Sequence, residues 1–239
     1  MRSALLVRGT LLALSTAILS SPVSAHAQDP ASSRPDAVGS ASADPVITVD
    51  YSNPGLAPSA WTLTVHPDGT AHFTSEMAPP PRESKGELGI PKIDRDIQVS
   101  PRFAAGIFAT AEHHSWFNQQ CESHQKVAFQ GNKKVSYRGP HGSGSCTFNY
   151  SKDKEIESLG DSLVAVASTV MEGVKLELLL QHDPLGLDRE IEALASAAHE
   201  GRAQQLNAIT DILQHLAQDD HVMDKVRKQA TLLLARGDS

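Results

Sequence analysis

The chain has 239 residues, a formal net charge of −7, 5% aromatic residues and two cysteines. That length allows one medium domain or two small ones, and the negative balance argues against nucleic acid and anionic membrane surfaces as partners. So few aromatics give little material for a platform that stacks sugars or single-stranded bases.

Arg2 and Arg8 precede the apolar run TLLALSTAILSSPVSA, which exits through small-x-small frames ending at Ala25 and Ala27. Basic start, apolar middle and small-residue exit predict a signal peptide over residues 1–27. The run is interrupted by serines and Pro22 and falls short of the roughly 20 residues of a spanning helix. No cysteine lies near the cleavage frames, which argues against a lipid anchor, and no later segment is apolar and long enough to span a bilayer. The expected location is periplasmic or secreted. Residues 28–44 are rich in Pro, Ser, Ala and Asp, with one large apolar residue, Val38, so they read as a disordered linker.

Residues 45–182 read as an α+β domain. VITVDY at 46–51 is a β-branched strand signal. In WTLTVHPDGTAHFTSE, Trp61, Leu63 and Val65 alternate with polar residues, as do Ala71 and Phe73. The loop Pro67-Asp68-Gly69 suits a type I turn with glycine in the left-handed position, pairing Val65 with Ala71 and Leu63 with Phe73. Proline-rich residues 77–92 read as an exposed loop and IQVS at 97–100 as a short strand. Ser100 and Pro101 start a helix that runs to about 116. Val127 and Phe129, then Val135 and Tyr137, then Cys146, Phe148 and Tyr150 alternate, predicting a three-strand meander with Gly131-Asn132-Lys133 as its first loop. From Ile156 the apolar spacing becomes three and four, predicting a helix over 154–181, bent near Gly173. The expected architecture is an antiparallel sheet (hairpin plus meander) covered on one face by these two helices. A helical segment over 183–239 follows, with helices at 187–199, 203–217 and 220–236.

Three chemistries compete for Cys121 and Cys146. An exported chain with an even cysteine count favours a disulfide, which would close a loop of about 26 residues. If Cys121 begins the first meander strand and Cys146 the third, the span of about 9.6 Å is too long unless both project past the central strand. Metal binding is the second reading, since Cys121-x2-His124 and His141-x4-Cys146 supply four zinc-competent ligands, though an oxidising compartment competes for the thiolates. A reactive thiol is the third; it needs a paired base and an electropositive setting. The neighbouring GSGS is not an esterase elbow. The disulfide is the favoured expectation.

The alternative ligand site gathers His66, His72, His124 and His141, with His66 and His72 diagonal on the polar face of the first hairpin. His113 and His114 fall at a helix C-terminus, and the acids Glu155-Glu157 and Asp219-Asp220 at helix starts, where the dipole accounts for them. His215 and His221 read as surface residues. No phosphate loop, dinucleotide fingerprint, His-Glu-x-x-His or EF-hand loop occurs, so no catalytic residues, enzyme activity or cofactor are expected.

DDHVMDKVRKQATLLLAR, preceded by LNAITDILQHL, resembles a HEAT-type helix pair over about 35 residues. Stacked pairs in that family make protein-binding surfaces, although roughly three repeats are needed for a solenoid. The β-rich half has the general look of small exported domains. Together these features imply a non-enzymatic exported protein that binds a partner in the envelope or outside the cell; the alternative is metal or small-ligand binding through the His/Cys-rich loops.

Overall fold

The structure, a computed structural model, describes residues 44–79 and 88–237. The expected leader, the linker up to residue 43 and part of the 77–92 loop lie outside the described residues. The fold is α+β. Six antiparallel strands, β1 (Val46–Ser52), β2 (Ala60–Val65), β3 (Thr70–Ser75), β4 (Ile93–Gln98), β5 (Asn132–Gly139) and β6 (Gly142–Phe148), stand in the order β4-β3-β2-β1-β5-β6. The helices are α1 (Pro101–His113), α2 (Lys154–His182), α3 (Leu187–His199), α4 (Thr210–Gln218) and α5 (Asp224–Gly237). Among the described residues, no helix is long and apolar enough to cross a membrane.

The first hairpin forms in the expected register, with Val65 opposite Ala71 and Leu63 opposite Phe73. Gly69 has φ +85°, where a β-carbon would also collide with the Val99 carbonyl oxygen. Period-two alternation then decides which side is buried. Ile47, Val49, Leu63, Val65, Phe73, Val135 and Phe148 enter the core with Ile107 and Ala111 of α1 and Ile156, Leu163, Val166 and Val170 of α2. The opposite face presents Thr48, Thr62, Thr64, His72 and Thr74, none of them buried.

Half of the expected meander forms, since β5 pairs with β6, but β1 takes the place of its first strand. Residues 121–131 form no strand, and Asn132 and Lys133 open β5 instead of serving as a loop. The partner of Val135 is Val49, not Phe129, and Tyr137 faces Ile47, not Val127. β1 wins this edge because its alternation matches that of β5 on the same inner face, whereas Phe129 and Val127 remain 54% and 40% exposed. The 121–131 segment is held by side chains: Asn149 Oδ1 accepts from Gln130 N at 2.6 Å, and Glu122 Oε2 accepts from Asn149 N at 2.7 Å. His124, at φ +54°, breaks any extended run there.

This rearrangement removes the geometric objection to the disulfide. Cys146 lies on β6, at the margin of the sheet, and Cys121 reaches it from irregular chain; the S–S distance is 2.02 Å and Cα–Cα 5.7 Å.

α1 ends earlier than expected, at His113, and Ser115–Phe117 forms a single 3-10 turn with positive φ throughout. α2 is continuous across Gly173, where the missing β-carbon admits Ile209, whose Cγ2 would otherwise stand 2.5 Å from it. The glycine serves close approach, not a bend. Beyond it, Leu176 and Leu179 join Leu187, Ile191, Leu194, Ile209, Leu213, Val226 and Leu233 in a second core.

Two buried polar groups stand out. Lys133, 2% exposed, donates from Nζ to the Asn149 carbonyl at 3.0 Å and lies over the Phe148 ring, with Glu157 and Asp161 of α2 at 3.8 and 3.9 Å. On α2, Glu172 Oε2 is buried with no donor within reach. It neighbours Glu190 of α3, which is paired with Lys175 Nζ at 2.8 Å. Burial, then the Glu190 carboxylate, pushes the Glu172 pKa up to about 7, while Glu190 is held low despite its own burial by bonds to Glu172 and Lys175. A proton carried by Glu172 gives that orphan oxygen a role as donor.

Replacing both cysteines (Cys121→Ser with Cys146→Ser) is expected to lower stability by about 3 kcal/mol, the value for a loop of about 26 residues, measured by urea denaturation. The carboxyl pair carries its own pH signature. A raised acid pKa penalises only the ionised form, so the cost is absent below 4.5, grows as pH rises to about 7, and is constant above; the depressed Glu190 acts only below 4.5. Glu172→Gln should therefore leave stability near that of the parent at pH 4.5 and raise it at pH 8, by on the order of 2–3 kcal/mol.

Candidate metal centre

The C-terminus of α1 meets the N-terminus of α2, and the sequence builds each end for its charge. Ser100 starts α1 by accepting from Phe103 N, and the helix then delivers His113 and His114 to its negative pole. Asp153 caps α2, accepting from the backbone of Glu155 and Ile156, and places Glu155 in the first turn, at the positive pole. Opposite poles abut, so imidazoles and carboxylates converge.

Glu155 Oε2 lies 2.8 Å from His113 Nδ1 and 3.0 Å from His114 Nε2. The other nitrogen of His114 faces Gln119 Nε2 at 3.2 Å and Asp153 Oδ2 at 3.5 Å. The His114 side chain is 9% exposed, against 57% for Glu155 and 70% for His113. One ligand is thus fixed by packing and the other two face solvent. The bond from His113, followed by that from His114, holds the Glu155 carboxyl below the ordinary carboxylate range; in return, the bond to Glu155 raises the His113 pKa above 6.5.

One ligand atom from each of His113, His114 and Glu155 can be chosen so that all lie within 4.8 Å of one another, and no other such group of three occurs among the described residues. Two imidazoles and a carboxylate are a donor set for zinc or copper(II). Bonds of 2.0–2.2 Å to a tetrahedral ion put ligand atoms about 3.3 Å apart, so the two contacts to Glu155 would widen by a few tenths of an ångström and the imidazole nitrogens, within 4.8 Å of each other, would settle to the same spacing. The two imidazole contacts to Glu155 are the ones an ion would replace. With Nε2 on an ion, the Nδ1–H of His114 would need an acceptor, and Asp153 Oδ2 at 3.5 Å is the group placed to serve, whereas the Gln119 amide nitrogen can only donate.

No known protein-family model matches the chain, and no curated protein is detectably similar to it. The reading therefore rests on the residues themselves.

The four histidines singled out by sequence do not form such a group. His72, exposed on the outer sheet face, is held between Asp96 at 2.7 Å and Asp94 at 3.2 Å. It shares a shallow groove with His66, also lined by Asp211 of α4. His124 contacts Gln120 at 3.3 Å, and His141 stacks on Trp116 at 4.8 Å between centroids. Cys121 and Cys146, bonded to each other, offer neither a thiolate ligand nor a nucleophile. The convergence of His113, His114 and Glu155 is missed by sequence because some forty residues separate its halves. Adjacent histidines at one helix end, and an acid two positions after a capping aspartate at the next helix start, are the signals that point to it.

In a proton NMR titration, the His113 imidazole is expected to titrate above 6.5, and Glu155→Gln should return it toward that value.

Proposed function

We propose that this is an exported, non-enzymatic protein that binds a divalent transition-metal ion, zinc or copper(II), at His113, His114 and Glu155. The observation that carries the reading is the convergence of three ligand atoms from two helices to within 4.8 Å of one another, with His114 held by packing and Asp153 beside its second nitrogen. Export is supported by the signal-like start of the sequence and by the Cys121–Cys146 bond, which is compatible with an oxidising compartment. The protein-binding role expected from the last helix pair receives less support. Ile212, Leu213 and Leu216 of α4 and Val226, Ala230 and Leu233 of α5 are buried within the chain's own second core.

Zinc titrated into the purified chain is expected to bind one ion per molecule at pH 7.5. His114→Ala and Glu155→Gln should each weaken binding by more than about tenfold while leaving the circular dichroism spectrum unchanged. Affinity should fall as pH drops to 5.5, because His113, whose pKa is raised by Glu155, must give up its proton to ligate. Zinc binding that is absent, or indifferent to both substitutions, would overturn the reading.

A further inference from the structure

A groove between α1 and α2 shares Glu155 with the candidate metal centre, although neither His113 nor His114 lines it. The groove encloses about 710 Å³; its walls include Arg102, Phe103 and Ile107 of α1 and Lys154, Glu155 and Leu159 of α2. Ile107 and Leu159 form an apolar floor, and Phe103 is half-buried beside it. Glu155 belongs both to this wall and to the cluster, so an ion held by the cluster borders the groove.

Charge inside the groove runs against that of the molecule. The chain carries a formal −7, yet the groove presents two cations and one acid. Neither Arg102 nor Lys154 forms an ion pair with any of the described residues, whereas Glu155 is already engaged by two imidazoles. A bound divalent ion would add further positive charge at the Glu155 wall. Lys154 opens α2 one position before Glu155, and both line the groove. Three protein ligands leave a position of a tetrahedral ion to a non-protein ligand, as zinc sites that engage small molecules do.

We propose that this groove binds an organic carboxylate with an apolar body. The carboxylate coordinates the ion at the Glu155 wall, in the field of Lys154 and Arg102, and the apolar body lies along Phe103, Ile107 and Leu159. This inference rests on the metal-binding reading above. It assigns different work to the two kinds of residue: His113, His114 and Glu155 hold the ion, while Lys154, Arg102 and the apolar floor select what the ion takes as its remaining ligand.

Cobalt(II) in place of zinc makes the step visible, because its absorption bands change when a ligand enters the coordination sphere. Octanoate added to the cobalt-loaded chain should shift those bands. Calorimetry on the zinc-loaded chain should show octanoate binding about tenfold or more tighter than to the metal-free chain. Lys154→Ala and Arg102→Ala should each weaken octanoate by about two- to fivefold, the scale of an exposed ion pair, and leave zinc affinity unchanged. Zinc binding that persists with no octanoate response, in either the cobalt spectrum or calorimetry, would overturn this inference alone. Failure of zinc and cobalt to bind would overturn the metal reading and this one together.

Discussion

The architecture depends on α2 burying its apolar residues along its whole length. From Ile156 to Val174 that burial is against the sheet and α1; from Leu176 it is against α3, α4 and α5. Each fully buried large aliphatic side chain contributes roughly 1.5–3 kcal/mol, so a helix with this many cannot leave either stretch uncovered. One consequence is positional. Once the sheet fixes where α2 starts, the Asp153 cap and Glu155 are fixed too, and they stand where α1 ends. The candidate metal centre is a by-product of helix packing in its placement and of helix-end chemistry in its composition.

The electrostatic logic of that junction is economical. An imidazole is favoured at a C-terminal pole and a carboxylate at an N-terminal pole, so each group has a structural reason to be there before any ligand is considered. That is why such residues read as caps in a linear sequence. What distinguishes them here is that three ligand atoms lie within 4.8 Å of one another, and only tertiary structure shows this.

Legibility of the fold follows the range of the interactions involved. The β2–β3 hairpin was readable because turn chemistry and alternation agree within sixteen residues. The helix starts at Ser100 and Asp153 are likewise local. The neighbour of β5 was not readable. The segment at 127–129 and the strand at 46–52 both alternate, and the choice between them is made by competition for one edge across more than eighty residues. Lys133 shows the same limit: a lysine beside a glycine and an asparagine reads as a loop residue, yet its ammonium group is taken up by a carbonyl, an aromatic face and two acids brought from elsewhere. The disulfide was readable from composition, but its geometry made sense only after β6 proved to be a marginal strand.

The two outer strands, β4 and β6, leave backbone unpaired along the margins of the sheet. Over the inner face of β6, the chain at Trp116–Asn118 lies so close to Gly144 that a β-carbon there would collide with the Trp116 oxygen. β4 carries Asp94, Arg95 and Asp96 in succession, and Asn207 takes the carbonyl of Gln98 at its end. Charge of this kind on a border strand discourages recruitment of another copy. Strand addition at the β4 margin would set charge against charge, and the Arg95 that helps to forbid it is the residue that also pairs with Glu177 of α2.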